Sequence, residues 1–132
     1  MNVFVDTSAF LSLLDIDEQN HDNAQRIWAR LVQQNTPLFC TSYVLAETAA
    51  LIQNRLGLRQ LRAFHENVFP FLRVTWVDAI LHEAGMTAVL AANRRRLSLV
   101  DCVSFVAMRQ SGLDAAFAFD NHFAEQGFHL LL

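Results

Sequence analysis

Two short apolar runs near opposite ends of the chain each end on an aspartate. Val3-Phe4-Val5 leads into Asp6, and Ala115-Ala116-Phe117-Ala118-Phe119 leads into Asp120. Runs of this length and composition favour buried strands, which are typical of parallel sheets. Ligands of open α/β sheets bind beyond the carboxyl ends of the strands, so both aspartates fall where a functional site is expected.

The segments between these runs alternate between helical and strand patterns. Apolar spacing, cap residues and stop residues predict helices over residues 7–14, 20–34, 42–56, 58–68, 78–94 and 97–110. Strand compositions occupy residues 38–41 and 71–77, and residues 128–132 suit an edge strand. This alternation predicts a three-layer α/β/α sandwich around a mainly parallel sheet. We expect the first strand to be central and to pair with the strand that ends at Asp120.

Length and composition bound the class of protein. The 132 residues predict a single domain spanning residues 1–132. Hydrophobic residues form 53% of the chain and include eleven phenylalanines, which predicts a homodimer or another partner surface. The continuous apolar side of helices 42–56 and 58–68 is the candidate surface. Short, charge-interrupted apolar runs and the absence of a basic leader predict neither a membrane span nor a signal peptide. Cys40 and Cys102 have no paired spacing, so we expect two buried thiols in a reducing cytoplasm.

Charge excludes some functions. The net charge of −3 gives no overall nucleic-acid footprint, and every one of the ten basic side chains is arginine. The absence of lysine excludes P-loop NTPases, lysine-based catalysis and response-regulator receiver domains. Arg94, Arg95 and Arg96 follow one another at the end of a predicted helix. They either complement the helix dipole in solvent or contact phosphate groups.

Two further acids fall inside predicted helices. The neighbours of Glu47 one turn away are mostly apolar, which predicts that it lies on the buried stripe of its helix. A carboxylate there must be neutral, paired with an arginine or bound to a metal. The alternative is an acid at the edge of the stripe that reaches solvent. Asp101 falls in the first turn of helix 97–110, where the dipole alone would favour it, and Asp6 could simply cap helix 7–14.

The predicted topology brings Asp6, Glu47, Asp101 and Asp120 to one crevice. Four carboxylates in an apolar crevice would repel each other and raise each other's pKa values. A divalent cation would resolve that conflict, and oxygen ligands suit Mg²⁺ or Mn²⁺. Such an ion polarises phosphoryl oxygens and activates water. The sequence therefore predicts cleavage of a phosphodiester or another phosphoryl group.

The ordered set of acids resembles the acidic quartet of PIN-domain nucleases. The motifs are Val-Asp-Thr-Ser-Ala around Asp6, the helix-embedded Glu47, Ser-Leu-Val-Asp-Cys-Val-Ser-Phe around Asp101, and Phe-Ala-Phe-Asp-Asn-His-Phe around Asp120. The similarity spans essentially the whole chain, and its length matches the compact VapC-type toxins of prokaryotic toxin–antitoxin pairs. It implies a Mg²⁺- or Mn²⁺-dependent endoribonuclease that forms a homodimer and is inhibited by a small antitoxin.

The same resemblance implies individual roles. Asp6 and Asp101 would be the most direct metal ligands, and Glu47 and Asp120 would complete the site through an oxygen or a water. Two secondary residues, Thr7 and Asn121, would orient water or phosphate.

The remaining polar residues keep two interpretations each. His122 suits surface or packing use more often than ligation. The run Arg94, Arg95 and Arg96 is a candidate for contacts with RNA phosphates.

Two other functions stay open on the sequence alone. A non-catalytic module would bind RNA or protein through its arginines and apolar helices, without a divalent ion. A small metal-dependent phosphatase is a weaker alternative, because a haloacid-dehalogenase-type site needs a second acid two residues after Asp6. Ser8 occupies that position.

Overall fold

The computed structural model describes all 132 residues as five strands and seven α-helices. The strands are β1 (Val3–Val5), β2 (Leu38–Thr41), β3 (Leu72–Thr75), β4 (Ala115–Phe117) and β5 (His129–Leu130). The helices are α1 (Thr7–Leu14), α2 (His21–Gln33), α3 (Ser42–Leu56), α4 (Leu58–Ala63), α5 (Ala79–Ala92), α6 (Leu99–Gln110) and α7 (His122–Glu125). None of these helices combines the length and the apolar composition that a membrane-spanning helix needs.

The strands form one sheet in the order β3-β2-β1-β4-β5, and every pairing is parallel. This confirms the predicted α/β sandwich, with β1 in the centre and β4 beside it. Every residue of β1 and β4 is buried, as expected for central strands covered on both faces. The carboxyl ends of these two neighbouring strands therefore open on the same edge of the sheet.

The core buries many of the hydrophobic residues that are abundant in this sequence. Seven of the eleven phenylalanines are buried. Phe123 of α7 is completely buried, and its ring packs against those of Phe4, Phe105 and Phe128 with centroid distances of 5.0–6.4 Å. This cluster fixes the short helix α7 beside the end of β4. Both cysteines are buried and free, as predicted.

The predicted helix over residues 58–68 is wrong as a single α-helix. Helix α4 ends at Ala63, a π-helical turn covers Phe64–Val68, and a 3₁₀ turn covers Phe69–Phe71. Phe64 and Val68 are buried in the main core, so they do not belong to the predicted partner surface. The wider π turn shifts the register of the helix and aims these two side chains inward.

Other boundaries differ by a few residues. The third strand is shorter than 71–77, because the 3₁₀ turn around Pro70 occupies its start. The fourth strand leaves the ladder after Phe117 rather than Phe119, and the fifth covers only His129–Leu130. Helix α6 begins at Leu99 rather than Leu97, and α7 was not predicted. Four-residue helices such as α7 carry too little periodicity to be recognised.

Candidate metal centre and nuclease site

Asp6 directly follows β1 and is 4% exposed. Its backbone N–H donates to the carbonyl of Phe117 over 3.1 Å, which joins it to β4. Its Oδ2 accepts hydrogen bonds from the N–H and the hydroxyl of Ser8, at 3.2 and 2.7 Å. Asp6 is therefore the N-cap of α1, and it also faces the crevice beyond the sheet. The same carboxylate therefore caps the helix and lines the crevice, so the two interpretations of Asp6 do not exclude each other.

Burial raises the pKa of Asp6 to about 6. The two hydrogen bonds from Ser8 oppose this rise, whereas the nearby carboxylates of Asp101 and Asp120 add to it. The surroundings of Asp6 therefore favour its neutral form more than water does. A bound cation would favour the charged form.

Ser8 is a part of the site that sequence reasoning missed. Its Oγ donates to Asp6 and accepts a hydrogen bond from the N–H of Phe119 at 3.0 Å. One hydroxyl thus joins the segments that follow β1 and β4. The Asp-Thr-Ser order offered a signal, because a hydroxyl two residues after an acid suits a local turn. The partner on Phe119 could not be seen, because it depends on the pairing of the strands.

Asp101 is held at the start of α6 by a capping box. Its N–H donates to Ser98 Oγ at 3.0 Å, and its Oδ2 accepts the N–H of Ser98 at 3.1 Å. This reciprocal pair orients the carboxylate and leaves Oδ1 for another ligand. Burial raises the pKa of Asp101, and Asp120 adds repulsion, while the Ser98 bonds and His122 lower it.

Asp120 and His122 stand together beyond β4. Oδ1 of Asp120 accepts the backbone N–H of His122 at 2.9 Å, which forms the turn into α7. Nε2 of the imidazole lies 3.7 Å from the same oxygen. One ligand atom each from Asp101, Asp120 and His122 lie within 4.8 Å of one another, a spacing that suits a shared metal ion. Of the two interpretations of His122, packing and ligation, this cluster is compatible with ligation.

The prediction that Glu47 lies on the buried stripe of its helix is wrong. The buried positions of α3 are Val44, Thr48 and Ile52, and Glu47 is only half-buried beside them. The residues one helical turn before and after Glu47 are mostly apolar, so periodicity alone does not determine which face of the helix turns inward. Its carboxylate lines the rim of the crevice.

The crevice itself has a volume of about 260 Å³ and a polar lining. Its lining residues are Asp6, Thr7, Ser8, Leu11, Glu47, Arg96, Ser98, Asp101 and Asp120. The expectation of an apolar crevice is wrong, because hydroxyls stand between the acids and Leu11 is the one apolar side chain. Thr7 is fixed by a hydrogen bond of 3.1 Å that Thr48 donates to its Oγ1. Asn121 is exposed and does not line the crevice.

The three consecutive arginines have three different positions. Arg96 lines the crevice, Arg94 donates to Glu125 at 2.9 Å, and Arg95 lines a separate depression with Arg94. All three are exposed, as the solvated interpretation predicts. They do not lie in the last turn of a helix, because α5 ends at Ala92 and has no basic residue there. Arg96 is thus the one cation of this run that faces the acids.

The donor set fits a divalent cation. The carboxylates come from the residue after β1, from α3 and α6, and from the segment after β4, and they surround one opening. Burial disfavours the charged forms of Asp6 and Asp101, and a bound cation would offset this cost. Oxygen donors of this kind suit hard divalent ions that keep some of their waters.

The family model for the PIN domain matches residues 3–128. The chain belongs to the PIN-domain family. This confirms the resemblance seen in the four acidic motifs. A PIN-domain relative named 23S rRNA-specific endonuclease VapC20, from Mycobacterium tuberculosis, is 35% identical over 128 residues. Those residues cover 96% of this chain and 95% of the relative.

Solved structures carry the same likeness. The crystal structure of Mycobacterium tuberculosis VapC20, described as a toxin that cleaves the sarcin–ricin loop, superposes with a TM-score of 0.84 and 32% identity over 96% of each chain. FitAcB from Neisseria gonorrhoeae gives a TM-score of 0.70 at 11% identity, covering 98% of this chain and 96% of that one. PAE2754 from Pyrobaculum aerophilum gives a TM-score of 0.66 at 17% identity, covering 99% of this chain and 88% of that one. The last two show a common PIN fold.

Proposed function

We propose that this PIN domain is a divalent-metal-dependent endoribonuclease that serves as the toxin of a toxin–antitoxin pair. The convergence of Asp6, Glu47, Asp101 and Asp120 on one crevice carries the proposal. The relationship to VapC20 over nearly the full length of both chains supports the RNA substrate and the toxin role.

The protein's own residues prepare the site for phosphodiester cleavage. Asp6 and Asp101 would hold Mg²⁺ or Mn²⁺ most directly, and Glu47 and Asp120 would complete its surroundings. When bound, such an ion neutralises phosphate charge and activates water for in-line attack. Ser8 and Ser98 keep the two central carboxylates in position before the substrate arrives. Preorganised carboxylates of this kind need no rearrangement during the reaction.

Arg96 and Thr7 are the candidates for contact with RNA. Arg96 lines the crevice and forms no ion pair with another side chain. The paired N–H groups of its guanidinium suit a phosphate. Thr7 also lines the crevice, and a hydroxyl suits orientation of water or phosphate. Asn121 is exposed and does not line the crevice. It would contact only a substrate that extends beyond the crevice.

We further propose a homodimer, a cognate antitoxin and a cytoplasmic location. Several large apolar side chains are exposed, including Leu58 at 68%, Trp76 at 69% and Ile80 at 79%. Exposed side chains of this kind suit protein contacts. A toxin directed at RNA also needs an inhibitor in the cell that makes it. Light scattering of the purified chain, alone and with the product of any adjacent reading frame, tests both assemblies.

The decisive experiment is cleavage of total RNA and of isolated ribosomes by the purified chain, with Mn²⁺, with Mg²⁺ or with a chelator. Asp6→Asn is the inactive variant, and Asp17→Asn, an exposed loop acid, is the matched control. We expect discrete fragments that need the metal and disappear only in Asp6→Asn. The 23S rRNA named for VapC20 is the first transcript to map.

The other outcomes separate the alternatives. RNA that binds in chelator but stays intact with either metal would favour the non-catalytic module. Hydrolysis of small phosphate monoesters without RNA cleavage would favour the phosphatase.

A further inference from the structure

We propose that His122 is a nitrogen ligand of the metal centre and that it makes the centre prefer Mn²⁺ to Mg²⁺. This inference rests on the proposed metal dependence and extends it from the four acids to a mixed oxygen and nitrogen donor set. The four acidic motifs alone indicate oxygen donors.

The position of His122 favours ligation. Its Nε2 lies 3.7 Å from Oδ1 of Asp120, and the histidine, Asp120 and Asp101 bring ligand atoms within 4.8 Å of one another. The ring is 16% exposed, and Phe123, the next residue, is completely buried in the aromatic core. The backbone that carries the imidazole is therefore anchored beside the acids.

The opposite side of the ring resembles the outer surroundings of a metal-bound histidine. Nδ1 is buried and makes no hydrogen bond, and Oε1 of Glu125 lies 3.5 Å from it. Glu125 is itself fixed, because its Oε2 accepts a hydrogen bond of 2.9 Å from Arg94. Metal-binding histidines commonly present one nitrogen to the ion and the other to a carboxylate.

A nitrogen donor changes which ion the centre prefers. Mg²⁺ favours oxygen ligands and waters, whereas imidazole suits transition metals. Replacing one oxygen donor by Nε2 should therefore strengthen Mn²⁺ binding more than Mg²⁺ binding. A histidine that only packs would leave the ratio of the two affinities unchanged.

Pulsed electron paramagnetic resonance of Mn²⁺ bound to the intact chain tests the ligand directly. We expect a nitrogen nuclear coupling that changes when the histidine nitrogens are isotopically labelled. This readout requires neither RNA nor activity. Bound Mn²⁺ without nitrogen coupling would overturn the ligand assignment and leave the metal-dependent nuclease standing. No Mn²⁺ binding at all would overturn both.

Variants then identify the histidine. His122→Asn should remove the coupling and weaken Mn²⁺ binding by about 10- to 100-fold, and Mg²⁺ binding by less than about 3-fold. Glu125→Gln should keep the coupling and weaken Mn²⁺ binding by about 10-fold. His129→Asn, in the exposed edge strand, is the matched control and should change neither. Retained coupling in a folded His122→Asn variant, or equal losses for both ions, would contradict the proposal.

Discussion

The hydroxyl of Ser8 donates a hydrogen bond of 2.7 Å to Oδ2 of Asp6. The same oxygen of Ser8 accepts the N–H of Phe119 at 3.0 Å, so the carboxylate of the first strand is fixed through a contact with the segment after the fourth. Ser8 is therefore a positioning residue for the central acid of the site.

Ser8→Ala should lower both stability and cleavage. The variant leaves the Phe119 N–H without its partner, which costs about 1–2 kcal/mol of unfolding free energy, and it frees Asp6 to rotate. We expect RNA cleavage to fall by about 10- to 100-fold with the metal requirement retained. Ser104→Ala is the control, because that buried hydroxyl bonds only within α6, to Val100. Equal cleavage by the two variants would exclude the positioning role.

Asp6→Asn should stabilise the metal-free protein at neutral pH. The folded chain releases the Asp6 proton near pH 6 and the unfolded chain near the ordinary value of 3.8. The folded state thus binds more protons in this window, and wild-type stability falls as the pH rises from about 4 to 6, by about 3 kcal/mol in all. Urea unfolding in chelator across this range should show that step in the wild type. In Asp6→Asn the step should be smaller by about that amount, because the contribution of Asp101 remains. An equal loss of unfolding free energy in both proteins would show that groups other than Asp6 cause it.

Arg96→Ala should weaken RNA binding. Removing one phosphate contact should raise KM and reduce the salt dependence of binding by about one unit of slope. Arg95→Ala is the matched control, since Arg95 lies outside the acidic crevice. Fluorescence anisotropy over a range of salt concentrations gives the slopes. Identical slopes for the two variants would exclude Arg96 as the contact.

Gly85→Ala should destabilise the protein although alanine is the better helix former. A Cβ at this position of α5 would lie 2.3 Å from Cγ2 of the buried Val103 on α6. The two helices would have to separate, at a cost of about 1–3 kcal/mol, against a propensity gain of about 1 kcal/mol. Thr87→Ala, on the exposed side of α5, is the control. Chemical denaturation of both variants measures the difference, and an unchanged midpoint for Gly85→Ala would contradict this close packing.

The sequence predicted the parts of the fold that depend on composition within one segment. The apolar runs before Asp6 and Asp120 gave two strands, and crossover handedness placed them side by side. It also predicted that Glu47 and Asp101 would reach the same crevice, where the structure places both. These inferences succeed because parallel strands bring distant residues to one edge.

The remainder depends on contacts between segments. The orientation of α3 is set by what Val44, Thr48 and Ile52 pack against, so the half-buried position of Glu47 could not be read from its neighbours. The ion pair of Arg94 with Glu125 joins residues 31 positions apart. The π turn at Phe64–Val68 places Phe64 and Val68 in the core, and no periodicity in that stretch predicts it.

The bond between Ser8 and the Phe119 N–H joins residues 111 positions apart in the chain. During translation, the first of these residues leaves the ribosome long before the second has been added. A nascent chain that stops before Phe119 lacks this bond and also lacks Asp120, so its site cannot form. We expect RNA cleavage to begin only after β4 and α7 have been synthesised and folded against β1, so a partly synthesised chain should be inactive.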